Sequence, residues 1–373
     1  MIRNFHLESI PRFTQSHLLN LILNQTHFSP AHTKLIRSTF ENAHIKSRPL
    51  MVDPKILFSE KEDLSSIYNH YRRAMISTGA STVLNTIKNY SSVGRFHHFI
   101  MSSVFFSNPQ PSQLILDKVR ETSLGNELFP SDTTHHSITS VACAGGPLML
   151  SEALTYHRAY PNRNIFCLAL EPNNFEMANV KESIKKYSPK MNDFHVREQF
   201  IPAAIVGDAS MGIIITGDEY SPADQCTSNR GIRLVDAYFQ QIPQTTNVVR
   251  LDMKEGVKMV FGSDLSKMAK YFPLLVQKLL DDNHLRREDI GDFVLHSGGP
   301  RIIKAISKEL GLTSHQIRHS IKSFEESGNC ASCTTLDVLK RTYEETKDGS
   351  KWVICAAIGP GISLSGGLYR IEC

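Results

Sequence analysis

Apolar runs and apolar periodicity predict an alternation of helices and strands along most of the chain. The segment Leu64–Lys88 places apolar residues at helical spacing, which predicts one long amphipathic helix. Short apolar runs such as Asn164–Glu171 and Asp292–His296 are typical of buried strands. Buried strands that alternate with helices predict an α/β fold with helices on both faces of the sheet.

Two series of predicted elements follow the same order. Each has a strand, a helix, a strand-to-helix elbow, a second helix and a second strand, and the elbows fall at Cys143 and Asn329. Duplication of one βαβ-type unit would bring these elbows face to face, with His296 delivered from the end of a strand. The order therefore predicts two halves, residues 1–220 with the cysteine and residues 221–373 with the histidine and the asparagine.

Three stretches carry more specific structural expectations. Residues 1 to about 60 are polar, and we expect only short helices there, around Gln15–Asn24 and His32–Ala43. Ser112 is expected to cap a helix over Gln113–Glu121, after a strand that ends at Phe106. The lysine-rich segment Pro172–Gln199 is interpreted as an irregular excursion or as a cap over the site.

Composition narrows the class of protein. The 373 residues are 41% hydrophobic and 21% charged, which is ordinary for a globular protein with more than one core. A net charge of +4 without a long basic block argues against nucleic acid as a partner. No apolar run reaches the roughly 18 residues of a membrane span, and the seven cysteines form no disulfide framework. We therefore expect a cytoplasmic protein without a membrane partner.

Cys143 is the candidate nucleophile. It lies between a β-branched run and the predicted helix Leu148–His157, so we place it at an elbow among small residues. A helix N-terminus favours the thiolate, and small neighbours let a carbonyl approach the sulfur and the backbone N–H groups. A lone cysteine at a helix start is more often a buried apolar residue. The presence of His296 and Asn329 favours the catalytic interpretation.

Three motifs resemble the signatures of one family. His296-Ser297-Gly298-Gly299-Pro300, Ser327-Gly328-Asn329 and Ile358-Gly359-Pro360-Gly361 resemble the His-Pro-Gly-Gly-Pro, Tyr-Gly-Asn and Gly-Phe-Gly-Pro-Gly motifs of type III polyketide synthases, the chalcone and stilbene synthase family. Ile45-Lys46-Ser47-Arg48 resembles that family's early Ile-Lys-x-Arg segment. The resemblance implies a thiolase fold, duplicated in five layers αβαβα, and a homodimer.

The resemblance also implies the chemistry of decarboxylative Claisen condensation. Cys143 would hold an acyl starter as a thioester, and His296 would hold that cysteine as a thiolate by ion pairing. A malonyl-type thioester would lose CO₂ and form an enolate, to which His296 and Asn329 donate hydrogen bonds. No cofactor or metal is implied. Gly359, Pro360 and Gly361 would shape the cavity beside the thiol.

Several positions depart from the family pattern. Two phenylalanines that gate the cavity of plant members fall, by spacing, on Val206 and Met259. The basic positions that grip coenzyme A fall on uncharged residues, with Lys34 and Arg37 close by. These uncharged residues are Leu35, Ser38 and Asn42. We therefore predict an aliphatic starter, carried by an acyl carrier protein rather than by coenzyme A, which a basic surface including Lys46 could meet.

Alternative interpretations remain open for the function and for single residues. The chain could be an acyltransferase, a non-decarboxylating enzyme that joins two β-ketoacyl chains, or an inactive partner that binds a carrier protein. His296 could be an internal histidine satisfied by backbone, and Asn329 could be a helix cap. Cys330 and Cys333 could be a metal or redox pair or two packed thiols. Glu171 could be structural or could line the cavity.

Overall fold

The computed structural model describes most of the chain. The described residues are 1–88, 94–105, 107–139, 141–187, 193–218, 230–252, 258–261 and 265–372. The strands are β1 (Ile2–Leu7), β2 (Arg12–Thr14), β3 (Ser47–Pro49), β4 (His98–Ser103), β5 (Thr134–Thr139), β6 (Ile165–Glu171), β7 (Ala209–Ile215), β8 (Gly231–Gln241), β9 (Val249–Asp252), β10 (Lys258–Phe261), β11 (Ile290–Leu295), β12 (Ser350–Gly359) and β13 (Ser363–Glu372). The α-helices are α1 (Gln15–Leu23), α2 (Pro30–Glu41), α3 (Pro54–Leu57), α4 (Leu64–Lys88), α5 (Pro111–Arg120), α6 (Ser123–Leu128), α7 (Gly145–Ala159), α8 (Glu176–Tyr187), α9 (Asp193–Ile205), α10 (Phe272–Asp282), α11 (Pro300–Glu309), α12 (Arg318–Ser327) and α13 (Ser332–Glu345).

Nine strands form one sheet in which the same pairing pattern occurs twice. The strand order is β11-β12-β13-β8-β1-β7-β6-β4-β5. In the first part β4 runs parallel to β6, which is followed by antiparallel β7 and β1. In the second part β11 runs parallel to β12, which is followed by antiparallel β13 and β8. The two parts meet where Ile2 of β1 lies opposite Ile232 of β8.

Helices cover and separate the two parts of the sheet. α4 and α5 pack on the outer face of the first part, and α10 packs on the outer face of the second with α11 beside it. α7 and α13 lie between the two parts, contact both of them and pack against each other. The layer order is therefore αβαβα, as predicted. Within the described ranges, no helix is both long enough and apolar enough to span a membrane.

Some local predictions are wrong, each for an identifiable reason. Segment 172–199 is not irregular, because it contains α8 and the start of α9. Met177, Val180 and Ile184 are buried at helical spacing among the lysines of α8, so the polar composition concealed one apolar face. Residues 1–60 also contain β1, which pairs with β7 inside the sheet, and the short strands β2 and β3.

The region after β4 also differs from its prediction. β4 ends at Ser103, and Phe106 lies outside the described residues. α5 begins at Pro111, whose missing N–H costs nothing at a helix start, and Gln110 is its N-cap residue. Ser112 is therefore in the first turn, where its hydroxyl contacts His135 Nδ1 at 3.0 Å.

Candidate active site

Cys143 lies at the predicted elbow between β5 and α7. A 3₁₀ turn over Ala142–Ala144 leads directly into the helix at Gly145. Ala142 has a φ of 42°, a left-handed conformation that non-glycine residues rarely adopt. A side chain at Gly145 would come within 2.2 Å of Ser102 Oγ, so this helix start requires glycine. The strained turn presents the partly exposed Cys143 to a cavity.

The end of β12 packs against this elbow. A Cβ atom at Gly359 would lie 2.3 Å from the carbonyl oxygen of Val141 and 2.9 Å from Ala144 Cβ. Gly359 and Pro360 line the cavity beside Cys143. Gly361, with a φ of 61°, turns the chain into β13 and accepts a hydrogen bond of 2.8 Å from Thr245 Oγ1. The glycine-proline-glycine segment is thus a hairpin turn between β12 and β13 and also a wall of the cavity.

Asn329 is fixed by hydrogen bonds on its main chain and its side chain. Its N–H donates to Ile205 O at 2.7 Å, and its carbonyl accepts from Gly207 N–H at 2.9 Å. The Ala331 N–H donates to Asn329 Oδ1 at 2.9 Å, which leaves Nδ2 to face Cys143 Sγ at 3.8 Å. α13 begins at Ser332 with Ala331 as its N-cap residue, so Asn329 is not a helix cap.

His296 follows the last residue of β11 and lines the same cavity. Its N–H donates to Ala356 O at 3.0 Å, which ties it to β12. The side chain is 5% exposed, and its Nδ1 has no hydrogen-bond partner among the described residues. Burial lowers the pKa of His296 to about 4, so the neutral imidazole predominates at neutral pH.

Burial also sets the protonation of Cys143. It raises the pKa of the thiol to about 12, while the hydrogen bond from Asn329 and the residue's own backbone N–H act in the opposite direction. Glu171 raises this pKa further. Burial therefore favours the neutral forms of the thiol and of His296, whereas the resemblance implies an ion pair.

The cavity at these three residues is small and mostly apolar. Its volume is about 60 Å³. Besides the residues already named, its apolar lining consists of Ile205, Val249, Met268, Phe272, Ile302, Ile306 and Ile358. Val206 itself is buried and forms a β-bridge with Asn329, and Met259 lies in β10 opposite Leu251. The side chain of Met259 lies outside the described residues.

Glu171 connects the two halves behind the cavity. It is fully buried at the end of β6, where one oxygen accepts from Val104 N–H at 2.9 Å. The other oxygen accepts from the hydroxyl of Ser332 and, at 3.3 Å, from its N–H. Burial raises the pKa of Glu171 to about 8. Among the described residues it is not part of the cavity lining, so its position favours the structural interpretation.

Cys330 and Cys333 are buried free thiols. Cys330 Sγ lies 3.5 Å from the carbonyl oxygen of Ser327 and 3.8 Å from that of Asp208. In the described part of the chain, no group of three or more His, Cys, Asp or Glu side chains could hold a metal ion. The buried surroundings of Cys330 and Cys333 favour the interpretation of two packed thiols over a metal or redox pair.

Most of the apolar residues that line the cavity could not be predicted from the sequence. Met268 and Phe272 come from the segment that enters α10, and Val249 is the first residue of β9. No motif marks these residues, because they reach the cavity only through tertiary packing. Ile302 and Ile306 were accessible in principle, since they share one face of the helix that follows His296.

Comparisons with known proteins relate the C-terminal part of the chain, which contains His296 and Asn329, to one family. Residues 233–371 match the family model of the chalcone and stilbene synthases, C-terminal domain. The 3,5-dihydroxyphenylacetyl-CoA synthase of Streptomyces toyocaensis is 24% identical over 346 residues, which cover 90% of this chain and 82% of that protein. The phloroglucinol synthase of Pseudomonas fluorescens is 23% identical over 237 residues, which cover 63% of this chain. That match spans 62% of the relative, less than two thirds of its length.

Solved structures extend the likeness to the whole chain. The crystal structure of 1,3,6,8-tetrahydroxynaphthalene synthase from Streptomyces coelicolor, a bacterial type III polyketide synthase, superposes with a TM-score of 0.81 at 21% identity. The match covers 100% of this chain and 99% of that one. The fold is therefore the thiolase fold of the type III polyketide synthases. Residues 233–371 match the C-terminal domain of the chalcone and stilbene synthases, and over its whole length the chain is similar in structure to a type III polyketide synthase.

Proposed function

We propose that this protein catalyses decarboxylative Claisen condensation of a Cys143-bound acyl starter with a malonyl-type thioester. The observation that carries the proposal is the convergence of three groups on one apolar cavity. The thiol of Cys143, the amide of Asn329 and the imidazole of His296 come from different elements of the two halves. A thiol, an amide donor and a neutral imidazole are the groups that acyl transfer and enolate formation require.

The first step loads the starter. Cys143 Sγ attacks the carbonyl carbon of the acyl thioester while His296 accepts the thiol proton. The N–H of Cys143, which points at its own sulfur, would donate to the oxyanion. Collapse of the tetrahedral intermediate breaks the carbon–sulfur bond of the carrier, and His296 returns the proton to the departing thiol. The cysteine is then acylated and His296 is neutral again.

The second step forms the new carbon–carbon bond. The malonyl carboxylate leaves as CO₂, and its electron pair becomes an enolate on the remaining thioester. Asn329 Nδ2 and His296 Nε2–H would donate hydrogen bonds to the enolate oxygen, which the neutral imidazole permits. The enolate carbon attacks the acyl carbon, and the thiolate of Cys143 leaves. The product is a β-ketoacyl thioester, longer by two carbons when the extender is malonyl.

The cavity lining supports an aliphatic starter. Its side chains are mainly aliphatic, with Phe272 as the aromatic member, and flexible alkyl groups pack well against such a surface. The carrier of the starter remains a prediction. Lys34, Arg37 and Lys46 are exposed on and after α2, which would suit an acidic carrier protein. The Streptomyces toyocaensis relative is named for a coenzyme A thioester, which makes coenzyme A the competing carrier.

We also propose that the protein is a homodimer and that its halves divide near residue 220. β5 is an edge strand of the nine-stranded sheet, so a second copy could extend the sheet there. Sedimentation should then give a mass about twice the 41.9 kDa of the chain. A single species at the monomer mass would contradict the dimer.

Turnover with defined thioesters tests the proposed reaction. An acyl starter is supplied on coenzyme A, on an acyl carrier protein, or as an N-acetylcysteamine ester, together with the malonyl thioester. We expect CO₂ release coupled to a product extended by two carbons, and a higher kcat/KM for the carrier-protein starter. Acyl exchange without CO₂ release would indicate an acyltransferase or a non-decarboxylating enzyme. Binding of the carrier protein without acylation of Cys143 would indicate an inactive partner.

A further inference from the structure

A buried arginine lies behind the segment that holds Asn329. Arg48, the central residue of β3, is 0% exposed. Its Nη1 donates to the carbonyl oxygen of Val206 at 2.8 Å, while Nε and Nη2 have no hydrogen-bond partner among the described residues. A buried guanidinium with unused donors is costly, since a hydrophobic side chain of similar volume usually serves packing at least as well.

The contact with Val206 places Arg48 one step from Asn329. Val206 lies between the two residues that bond the asparagine main chain, Ile205 through its carbonyl and Gly207 through its N–H. A Cβ atom at Gly328, the residue before Asn329, would come within 3.4 Å of Arg48 Cδ. Arg48 therefore lies against the asparagine segment and also bonds the residue that forms a β-bridge with Asn329.

Asp208, which acts electrostatically on Arg48, is held by its own hydrogen bonds. Asp208 accepts from Met51 N–H at 2.6 Å and from Asn174 N–H at 2.7 Å, and its own N–H donates to Pro49 O. The carboxylate of Asp208 interacts electrostatically with the guanidinium. Burial lowers the pKa of Arg48 to about 9, which still leaves the side chain charged at neutral pH.

From this chain of contacts we infer that Arg48 is a positioning residue that aims the amide of Asn329 at the cavity. The inference rests on the proposed function, in which that amide donates to the enolate. An enolate donor must be held within a fraction of an ångström, and a misplacement of about 1 Å can cost 10²-fold in rate. Among the described residues Arg48 is not part of the cavity lining, so decarboxylation should depend on it more than starter loading does.

Arg48→Met and Arg48→Lys test the inference. Methionine keeps most of the side-chain volume but has no hydrogen-bond donor. Lysine keeps the charge, and its one ammonium group can donate to the carbonyl oxygen of Val206. We expect Arg48→Met to lower malonyl decarboxylation by about 10- to 100-fold and to leave acylation of Cys143 within about threefold. Arg48→Lys should retain more decarboxylation than Arg48→Met. If Arg48→Met does not fold, Arg48→Lys alone should still lower decarboxylation more than loading.

Arg230→Met is the matched control. Arg230 also donates to two carbonyls, Tyr343 O at 2.6 Å and Thr346 O at 2.8 Å, but at the opposite end of α13, about 20 Å from Asn329 along the helix. The Arg230→Met variant should lower the unfolding midpoint, and the rates of decarboxylation and of loading should change by the same factor. In an Asn329→Ala background, Arg48→Met should change decarboxylation less than about twofold, because both act through one amide. Parallel loss of loading and decarboxylation, or full additivity in the double variant, would overturn the inference.

A readout that needs no turnover separates this inference from the proposed reaction. The Asn329 amide lowers the pKa of the Cys143 thiol, so displacing it should slow alkylation by iodoacetamide at a fixed pH. Arg48→Met should slow alkylation of Cys143 as Asn329→Ala does, by about two- to threefold, which agrees with the small change expected for acylation. If the unmodified protein releases no CO₂ yet shows this pattern, the proposed function fails and the positioning role stands. Unchanged alkylation in Arg48→Met, with slower alkylation in Asn329→Ala, would refute the positioning role.

Discussion

The two elbows of this protein have similar surroundings in the fold, but they hold Cys143 and Asn329 in different ways. Each elbow contains an alanine in a left-handed conformation, Ala142 directly before Cys143 and Ala331 two residues after Asn329. Each leads into one of the two helices of the central layer. Cys143 lies within a turn that is continuous with its helix, whereas Asn329 lies in an extended bridge to Val206. The proposed nucleophile is thus oriented by a strained turn, and the proposed hydrogen-bond donor is held by other hydrogen bonds.

The ends of the central strands show a second contrast. β6 ends in Glu171, whose carboxyl group bonds Ser332 at the elbow of the other half. β12 ends in Gly359, which contacts the backbone at the cysteine elbow of the other half. A buried side chain ends the first strand, whereas a glycine that leaves room for the cysteine elbow ends the second. Gly359 lines the cavity, and among the described residues Glu171 does not.

Removing the thiol should have the largest effect on this division of roles. Cys143→Ala should abolish the acyl mass gained on incubation with an acyl thioester, because alanine offers no nucleophile. Intact-mass analysis measures this, with Cys355→Ala as a control that removes a buried thiol in β12. Acylation that persists in Cys143→Ala would move the nucleophile elsewhere.

Removing the amide should separate the two elbows functionally. Asn329→Ala should still acquire the acyl group but lose malonyl decarboxylation by about 10²–10³-fold, the usual effect of losing one oxyanion donor. CO₂ release and intact mass report the two steps. Asn283→Ala, which loses bonds to Asp236 and Leu279 at a distant helix end, should change neither. An equal fall of loading and decarboxylation would assign Asn329 a structural role.

Adding a methyl group at Gly359 tests the close contact between the end of β12 and the cysteine elbow. Gly359→Ala would place Cβ 2.3 Å from Val141 O and must displace the elbow. Overpacking of this kind costs about 1–3 kcal/mol, so we expect acylation of Cys143 to slow by about tenfold or more, with a lower unfolding midpoint. Gly291→Ala is the control, because its Cβ would meet only the flexible Lys351 side chain. Unchanged acylation in Gly359→Ala would show that the elbow does not need this close contact.

Replacing Glu171 with a neutral side chain should have the smallest effect, and this effect should be seen only in the pH dependence of stability. The pKa of Glu171 rises from 4.5 to about 8 on folding, so its contribution is complete below pH 4.5 and is lost as the pH rises through 8. Glu171→Gln can accept from Val104 N–H and donate to the Ser332 hydroxyl without titrating. Its unfolding midpoint should match that of the unmodified protein near pH 5 and exceed it by a few degrees near pH 8. A difference that does not change with pH would contradict this assignment.

The frame of the site was predictable from sequence, and its support was not. Apolar periodicity located α4 and most strands, and small residues around Cys143 and Asn329 marked the elbows. The helices over 172–199 were missed because lysines hide their apolar face. Spacing predicted Val206 at the cavity, but among the described residues it is not part of the lining and instead forms a main-chain bridge to Asn329, which is distant in sequence. The pKa shifts of Cys143 and His296 could not be predicted from the sequence either, because burial depends on tertiary packing.

The separation of Cys143 and Asn329 by 186 residues has a consequence for biosynthesis. At about 5–20 residues per second, the ribosome would take roughly 10–40 s to go from the thiol to its amide partner. During that interval the cysteine is an ordinary side chain of a nascent polypeptide, without its donor and without the Gly359 wall. The arrangement of thiol, amide and cavity wall therefore exists only after both parts of the sheet have folded together.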